Sequence, residues 1–229
     1  MRILFFDTET NGLPKFKTSV APSEWPAVVQ VAWQVWDFPS LGETAATTET
    51  TGTTADPTLH SAASYYVKPP PSLEWNLGSQ AIHLVTKEQA LREGVEPEEV
   101  WGAFAHVLAD VDCIVAHNLA FDKKVVDADA ARRGAPPYRW PSLQCCTMMS
   151  TKAYCRLPSM YSRPEDPYKF PKLSELHALL FGNARLLHFH NASVDVDCTV
   201  QCFRRLVELK VLRLDDVDRL RVAPPLPPA

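Results

Sequence analysis

The chain begins with a run of large apolar residues that ends directly in two acids. Residues 3–6 (ILFF) are followed at once by Asp7, Thr8 and Glu9. Such a run is typical of a strand buried on both faces, and side chains two apart on a strand point the same way. Two adjacent carboxylates at the end of a buried strand are costly unless a cation lies between them. Asp-x-Glu alone would also fit an exposed strand end with two solvated acids.

The composition indicates one intracellular domain. A length of 229 residues, with 46% hydrophobic and 22% charged residues, suits a single domain with a full core, with or without insertions. No apolar run is long enough to cross a bilayer. The apparent first strand begins at residue 2, which leaves no room for a usual signal or transit peptide. We therefore expect a cytoplasmic or nuclear protein without a membrane partner.

Charge and cysteine spacing argue against two classes of protein, those that coat nucleic acid and those built around a cysteine-bound zinc ion. The formal net charge is -4, whereas a protein that coats nucleic acid through phosphate contacts is usually basic. Any nucleic-acid contact should therefore be local. The basic pairs at 123–124 and 132–133 could help, or could be solvated helix surface. The six cysteines include no C-x-x-C pair, so reduced, packed thiols are favoured over the alternative of a zinc module.

Strand patterns come first in the chain and helical patterns follow. Periodicity and turn residues predict strands from residue 2 and at 27–37, 65–67, 113–116 and 143–149, and helices at 86–92, 98–110, 121–133, 173–181 and 193–209. This order is typical of a mixed sheet with helices on both faces. The residues that follow the strands would then line the mouth of the sheet, where open α/β folds bind ligands.

Three segments lack these patterns. Residues 39–62 are rich in Thr, Ala, Ser and Gly, and we predict a surface insertion that cannot bury enough apolar area to order itself. Residues 158–171 are rich in Pro and Tyr and are predicted to form a loop. We expect one domain over residues 1–212 and a C-terminal tail over 213–229 with a proline-rich end.

Two further acidic segments follow a predicted strand and a predicted loop. In residues 116–122 (AHNLAFD) a buried strand ends and Asp122 falls in the first turn of the next helix. In residues 190–195 (HNASVD) a loop leads into a helix that carries Asp195. These carboxylates could converge with the first pair. His117 is expected to have a structural role, and Asp127, Asp129 and Asp197 are expected to be helix-surface charges.

These segments resemble a known family. FFDTETNGLP, AHNLAFD and HNASVD are similar to the three exonuclease motifs of the DEDDh, or DnaQ-like, 3′→5′ exonucleases of the ribonuclease-H-like superfamily. This group includes proofreading and DNA-repair enzymes. The resemblance covers residue 2 to about residue 207. It implies a three-layer α/β/α domain with a five-stranded mixed sheet whose second strand is antiparallel.

The resemblance also implies a ligand set and a base. Asp7, Glu9, Asp122 and Asp195 would hold two divalent ions, Mg²⁺ or Mn²⁺, whose hard character suits oxygen ligands. His190, five residues before the last acid, would be the general base. The sister group has tyrosine four residues before that acid, where this chain has asparagine, so the histidine subtype fits.

A second set of residues is implied to contact the terminal nucleotides. Its members are Thr10, Leu13, His83, Asn118 and Phe121. Stacking on an apolar or aromatic wedge tolerates any base, which suits an exonuclease. For Phe121 a role in the core is equally open.

The expected function is a metal-dependent 3′→5′ exonuclease that releases nucleoside 5′-monophosphates from single-stranded or frayed DNA. An RNA-directed enzyme that trims short or structured RNA is the first alternative, because no residue selects the sugar. The second is an adaptor of the same fold that binds nucleic-acid ends or a polymerase, although none of the carboxylates is lost. The insertion and the tail leave a polymerase or repair partner open, and no residue indicates an oligomeric state.

Overall fold

The architecture follows from a central sheet whose first strand carries the acidic pair. The structure is a computed structural model that describes residues 1–14, 21–39, 56–163, 165–182 and 190–214. The strands are β1 (Arg2–Thr10), β2 (Val28–Asp37), β3 (Thr58–Tyr66), β4 (Cys113–Ala116), β5 (Leu143–Cys146), β6 (Pro158–Arg163) and β7 (Asp166–Tyr168). The helices are α1 (Leu77–His83), α2 (Lys87–Glu93), α3 (Pro97–Leu108), α4 (Leu119–Ala131), α5 (Thr147–Ser150), α6 (Lys152–Cys155), α7 (Leu173–Phe181) and α8 (Ala192–Glu208).

The main sheet has five strands in the order β3-β2-β1-β4-β5. Strand β2 is antiparallel to both β1 and β3, whereas β4 is parallel to β1 and to β5. The predicted mixed sheet with an antiparallel second strand is therefore confirmed. The carboxyl ends of β1, β4 and β5 meet at one edge. The first acidic motif lies at the end of β1, and the second follows β4.

Alternation along β1 divides the core into two layers. Leu4 and Phe6 face a cluster that includes Phe104 of α3, whose ring lies 5.5 Å from that of Phe6. Ile3 and Phe5 face the opposite cluster, built largely from α7 and α8. All four β1 side chains are at most 1% exposed. This is the three-layer arrangement that a strand buried on both faces requires.

Several predicted segments have different bounds in the structure. Strand β3 begins at Thr58, inside the segment assigned to the insertion, and is longer than the predicted strand at 65–67. Residues 40–55 of that segment lie outside the described residues. Strand β5 ends at Cys146 and continues into the short helices α5 and α6. The predicted loop at 158–171 is wrong in part, because it contains the β6–β7 hairpin.

Two predictions about side chains have different outcomes. All six cysteines are free and five are buried, and none belongs to a potential metal-binding group among the described residues, so packed thiols are confirmed.

The placement of Asp129 on the helix surface is wrong, because this residue is 1% exposed. Its carboxylate accepts hydrogen bonds from Trp101 Nε1 at 2.7 Å and Arg132 Nη2 at 2.6 Å. Asp197 is exposed, as expected.

Within the described ranges, no helix is both long enough and apolar enough to cross a membrane.

Candidate active site

Strand β1 delivers Asp7 and Glu9 to the face of the sheet that α8 covers. Both lie at odd positions of the strand, like Ile3 and Phe5, whose side chains belong to the α8 layer. The half-buried Asp7 and Glu9 therefore point toward the N-terminal end of α8. This placement agrees with the expectation that the two carboxylates share one face of the strand.

The start of α8 places Asp195 and His190 against this pair. Asn191 caps the helix, and its Oδ1 accepts a hydrogen bond from the Ser193 amide at 3.1 Å. His190 has a positive φ of 72°, which turns its backbone N–H toward Asp195 Oδ2 at 3.0 Å. The capping turn therefore positions both the acid and the imidazole.

A buried glutamine of β2 fixes the same helix end to the sheet. Gln30 is 3% exposed, and its Oε1 accepts a hydrogen bond from the Ala192 amide at 3.2 Å. This bond satisfies one of the amides that a helix N-terminus leaves unpaired. Gln30 was not recognised in the sequence, because a single glutamine in a Val- and Trp-rich strand carries no motif.

Helix α4 delivers Asp122 from the other face. The helix begins after Asn118, which has φ 77° and ψ 42°, a left-handed conformation that asparagine tolerates better than most residues. Asp122 is 3% exposed, and its Oδ1 accepts hydrogen bonds from the Thr8 hydroxyl at 2.8 Å and the Thr8 amide at 3.1 Å. Because Thr8 occupies an even position of β1, it faces the α4 layer and holds this acid at the strand end.

The distances within the acidic group are not uniform. Ligand atoms of Glu9, His190 and Asp195 all lie within 4.8 Å of one another. Asp7 and Asp122 do not belong to that closest group. Both are nevertheless near enough to interact with it, because the charges of Asp122, Asp195 and Glu9 all raise the pKa of Asp7.

The electrostatics are those of a buried acid cluster. Desolvation, followed by repulsion from the other three acids, raises the pKa of Asp7 well above its usual range. Desolvation and the charges of Asp195 and Asp122 raise the pKa of Glu9 to about 8. Burial raises the pKa of Asp122 to about 7, although the Thr8 hydrogen bonds lower it. Burial likewise raises the pKa of Asp195 to about 6, although the hydrogen bond from the His190 amide lowers it.

The side chains fit a divalent cation. Asp195 Oδ1 is buried and has no hydrogen-bond partner among the described residues, although its other oxygen is paired. An unpaired buried carboxylate oxygen is costly unless a ligand satisfies it. The surrounding donors are carboxylate oxygens, which Mg²⁺ and Mn²⁺ prefer. The arrangement can therefore bind hard cations.

The residues implied to contact nucleotides occupy different environments near this edge. Leu13 is 81% exposed and Asn118 is exposed, whereas Thr10 is buried and donates its hydroxyl hydrogen to Gly12 O at 2.8 Å. Phe121 is half-buried, and its ring centroid lies 6.0 Å from that of Trp25. Phe121 thus packs at the margin of the core, as its alternative assignment expected.

His83 is the most unusual of these residues. It is 4% exposed, and its Nδ1 accepts a hydrogen bond from the Val85 amide at 3.1 Å. Its Nε2 is buried and has no partner of normal hydrogen-bond geometry in the described part of the chain, although the Thr10 backbone is near enough to raise the pKa of the ring. Desolvation, followed by the charge of His190, lowers the pKa of His83. The neutral ring therefore carries its proton on Nε2.

His117 has the structural role that was expected of it. It follows β4 directly, and its ring lies between two other segments. Nδ1 is 2.9 Å from Thr147 Oγ1, and Nε2 is 3.0 Å from the Pro171 carbonyl oxygen. Burial lowers the pKa of His117. The ring thus joins the end of β4 to the start of α5 and to the segment before α7.

Neither a family model nor a curated protein matches the chain. Solved structures of exonuclease I do match. The enzyme from Methylocaldum szegediense superposes with a TM-score of 0.63 at 17% identity, over 95% of this chain and 42% of that chain. E. coli exonuclease I in complex with a dT13 oligonucleotide superposes with a TM-score of 0.61 at 21% identity, over 94% of this chain and 42% of that chain. The zinc-bound complex of E. coli exonuclease I with single-stranded DNA superposes with a TM-score of 0.59 at 24% identity, over 94% of this chain and 42% of that chain.

The chain shares its fold with exonuclease I. The predicted ribonuclease-H-like α/β/α class is therefore confirmed. The chain spans about two fifths of the length of these exonuclease I chains, and identities this low establish the fold alone. Membership of the DEDDh group stays a prediction, as do the roles of the site residues.

Proposed function

We propose that this protein is a metal-dependent 3′→5′ exonuclease that acts on single-stranded or frayed DNA ends and releases nucleoside 5′-monophosphates. The observation that carries the proposal is the convergence of Asp7, Glu9, Asp122 and Asp195 at one sheet edge, with raised pKa values and an unpaired Asp195 Oδ1. Without protons or bound cations, such a site concentrates negative charge in a buried place, which is unfavourable.

The carboxylates would hold two divalent ions. When bound, these ions would stabilise the attacking and leaving oxygens of an in-line displacement. Asp7 and Glu9 approach from the α8 face and Asp122 from the α4 face, so the ligands surround the strand end. Thr8 keeps one oxygen of Asp122 engaged at 2.8 Å, which orients the other oxygen for binding.

His190 would accept the proton of the attacking water. Its ring is exposed and lies with Glu9 and Asp195 in the closest group of the site. Histidine is the side chain suited to this task near neutral pH. The bond from its amide to Asp195 keeps the residue in place.

The terminal nucleotide would lie against Leu13 and His83. Leu13, four residues after Glu9, exposes an apolar side chain, which suits contact with a base of any identity. His83 offers an Nε2–H group that has no partner of normal hydrogen-bond geometry among the described residues. We favour DNA over RNA as the substrate because E. coli exonuclease I, which shares the fold, has been solved in complex with dT13 and dA16 oligonucleotides.

The test is a cleavage assay on a 5′-labelled single-stranded DNA with Mg²⁺ or Mn²⁺. We expect stepwise shortening from the 3′ end, release of 5′-monophosphates and complete inhibition by a chelator. Cleavage of a matched RNA instead of DNA would support the RNA-directed alternative. Binding of 3′ ends without any cleavage would support the adaptor.

Variants connect the activity to the site. Asp7→Ala and His190→Ala should each lower the rate by at least about a hundredfold, because each removes a group that acts in the chemical step. Asp197→Ala is the matched control, since this acid is on the same helix as Asp195 but exposed. Full activity in Asp7→Ala would contradict the proposal. A polymerase or repair partner stays a prediction.

A further inference from the structure

The β6–β7 hairpin is anchored beside the candidate active site. His117 directly follows β4 and bonds to Thr147 Oγ1 at 2.9 Å and to the Pro171 carbonyl at 3.0 Å. These two residues precede and follow the segment that contains the hairpin. Both ends of the segment are therefore held at the sheet edge where the helix of Asp122 begins.

The stem of the hairpin lies on the α8 side of the sheet. Cys155 and Leu157, just before β6, pack in the same core cluster as the inner face of α8. The Lys169 amide donates to Leu157 O at 2.9 Å, and Lys152 pairs with Asp166 at 2.6 Å. This is also the face from which Asp7, Glu9 and Asp195 approach the site. These contacts therefore fix the base of the hairpin on the side of the sheet that carries these acids.

The outer part of the hairpin exposes large apolar side chains. Met160 is 95% exposed and Tyr161 is 92% exposed. Phe170, beyond β7, is 45% exposed, and Lys152 Nζ lies 4.5 Å from its ring centroid. At about 3.3 Å per residue, Tyr161 can lie about 13 Å from the stem at Leu157. The hairpin thus carries an exposed aromatic ring several residues beyond its anchored base.

This segment is basic in an acidic protein. Residues 152–172 include five basic and two acidic side chains, whereas the whole chain has a net charge of -4. Arg156 and Arg163 are exposed, and neither forms an ion pair with another described residue. By contrast, Arg132 of the basic pair noted in the sequence bonds to the carbonyls of Pro22 and Trp25.

We propose that the β6–β7 hairpin binds the single strand of nucleic acid upstream of the 3′ end, with Tyr161 stacked on a base and Arg156 and Arg163 against phosphates. Basic grooves combined with aromatic platforms are how proteins bind single strands without sequence preference. The placement of the 3′ end rests on the proposed exonuclease function, whereas the binding of a single strand does not.

The kinetic test compares a long and a minimal substrate. For an oligonucleotide of about 16 nucleotides, Tyr161→Ala should raise KM about fivefold or more, the usual effect of losing one stacked base. For a dinucleotide, which fills only the active site, the rate should not change. Tyr161→Phe should retain wild-type KM, because the ring is kept. Equal effects on both substrates would overturn the proposal and indicate a disturbed active site.

The binding test does not depend on cleavage. Fluorescence anisotropy with chelator measures the affinity of the long oligonucleotide for each variant. The double variant Arg156→Ala/Arg163→Ala should bind more weakly and reduce the slope of log K against log salt by about 1.4, because two phosphate contacts are lost. Arg205→Ala is the control. It lies about 15 Å along α8 from Asp195 and pairs with Glu208.

The outcomes separate the two proposals. If no variant or wild-type protein cleaves DNA but the hairpin variants still weaken binding, the exonuclease proposal fails and the hairpin proposal stands. If cleavage is normal and the hairpin variants bind like Arg205→Ala, the hairpin proposal fails alone. A change of oligomeric state in Tyr161→Ala with unchanged DNA affinity would assign the tip to self-association and also overturn it.

Discussion

At the residue scale, the site depends on a threonine between two acids. In Asp7-Thr8-Glu9 the acids share one face of β1, and Thr8 points to the other, where it donates to Asp122 at 2.8 Å through its hydroxyl and at 3.1 Å through its amide. These bonds lower the pKa of Asp122, which burial raises. One tripeptide therefore supplies two of the acids and orients a third.

Removal of the Thr8 hydroxyl should weaken metal binding without disrupting the strand. Thr8→Val keeps the shape and the amide bond but loses the hydroxyl bond to Asp122, so the pKa of Asp122 should rise further. We expect the Mg²⁺ concentration for half-maximal cleavage to rise about tenfold, as for other groups that orient a metal ligand. A Mg²⁺ titration of the initial rate measures this. Thr151→Val is the control, because that buried hydroxyl bonds to Thr147 O; an equal shift in both variants would contradict the role of Thr8.

At the element scale, predictions succeeded where periodicity was strong. Helix α7 and strand β4 have their predicted bounds, and α8 differs by one residue at each end. Strand β3 was predicted too short, because it is an edge strand whose first half is exposed and so has no alternation of apolar residues. The β6–β7 hairpin was missed for a similar reason, since its outward residues are mostly exposed.

The cap of α8 should matter for stability. Asn191→Ala removes the bond to the Ser193 amide and should lower the free energy of unfolding by about 1 kcal/mol. Urea denaturation measures this loss. Asn191→Ser is the matched control, because serine caps nearly as well, and it should retain most of the stability. Equal losses in the two variants would show that the cap bond is not the cause.

At the scale of the whole molecule, the acid cluster opposes folding when no metal is present. The native pKa values of Asp7, Glu9, Asp122 and Asp195 are all raised, the last three to about 8, 7 and 6. Between the unfolded values near 4 and these native values, the native state binds more protons than the unfolded state. Stability should therefore fall as pH rises through this range.

Thermal unfolding in a chelator should show this dependence. We expect Tm at pH 8 to be at least about 3 °C below Tm at pH 5.5, since about 1 kcal/mol corresponds to 2–4 °C for a chain of this size. Added Mg²⁺ should restore Tm at pH 8 through binding to the native state. Asp7→Asn should raise the metal-free Tm at pH 8 while abolishing cleavage, and Asp197→Asn should do neither. A Tm that does not depend on pH would contradict the expected repulsion.

The sequence by itself determined the order of the main sheet strands and of the longer helices, the buried first strand and the three acidic segments, because each is local in the chain and visible as periodicity or a motif. Only the tertiary structure decided how these parts meet. Asp122 reaches the site from the opposite face through Thr8, Gln30 fixes the start of α8, and the hairpin stands on the catalytic side. These contacts join residues far apart in the chain, and hydrogen bonds across a sheet leave no pattern in the sequence of either partner.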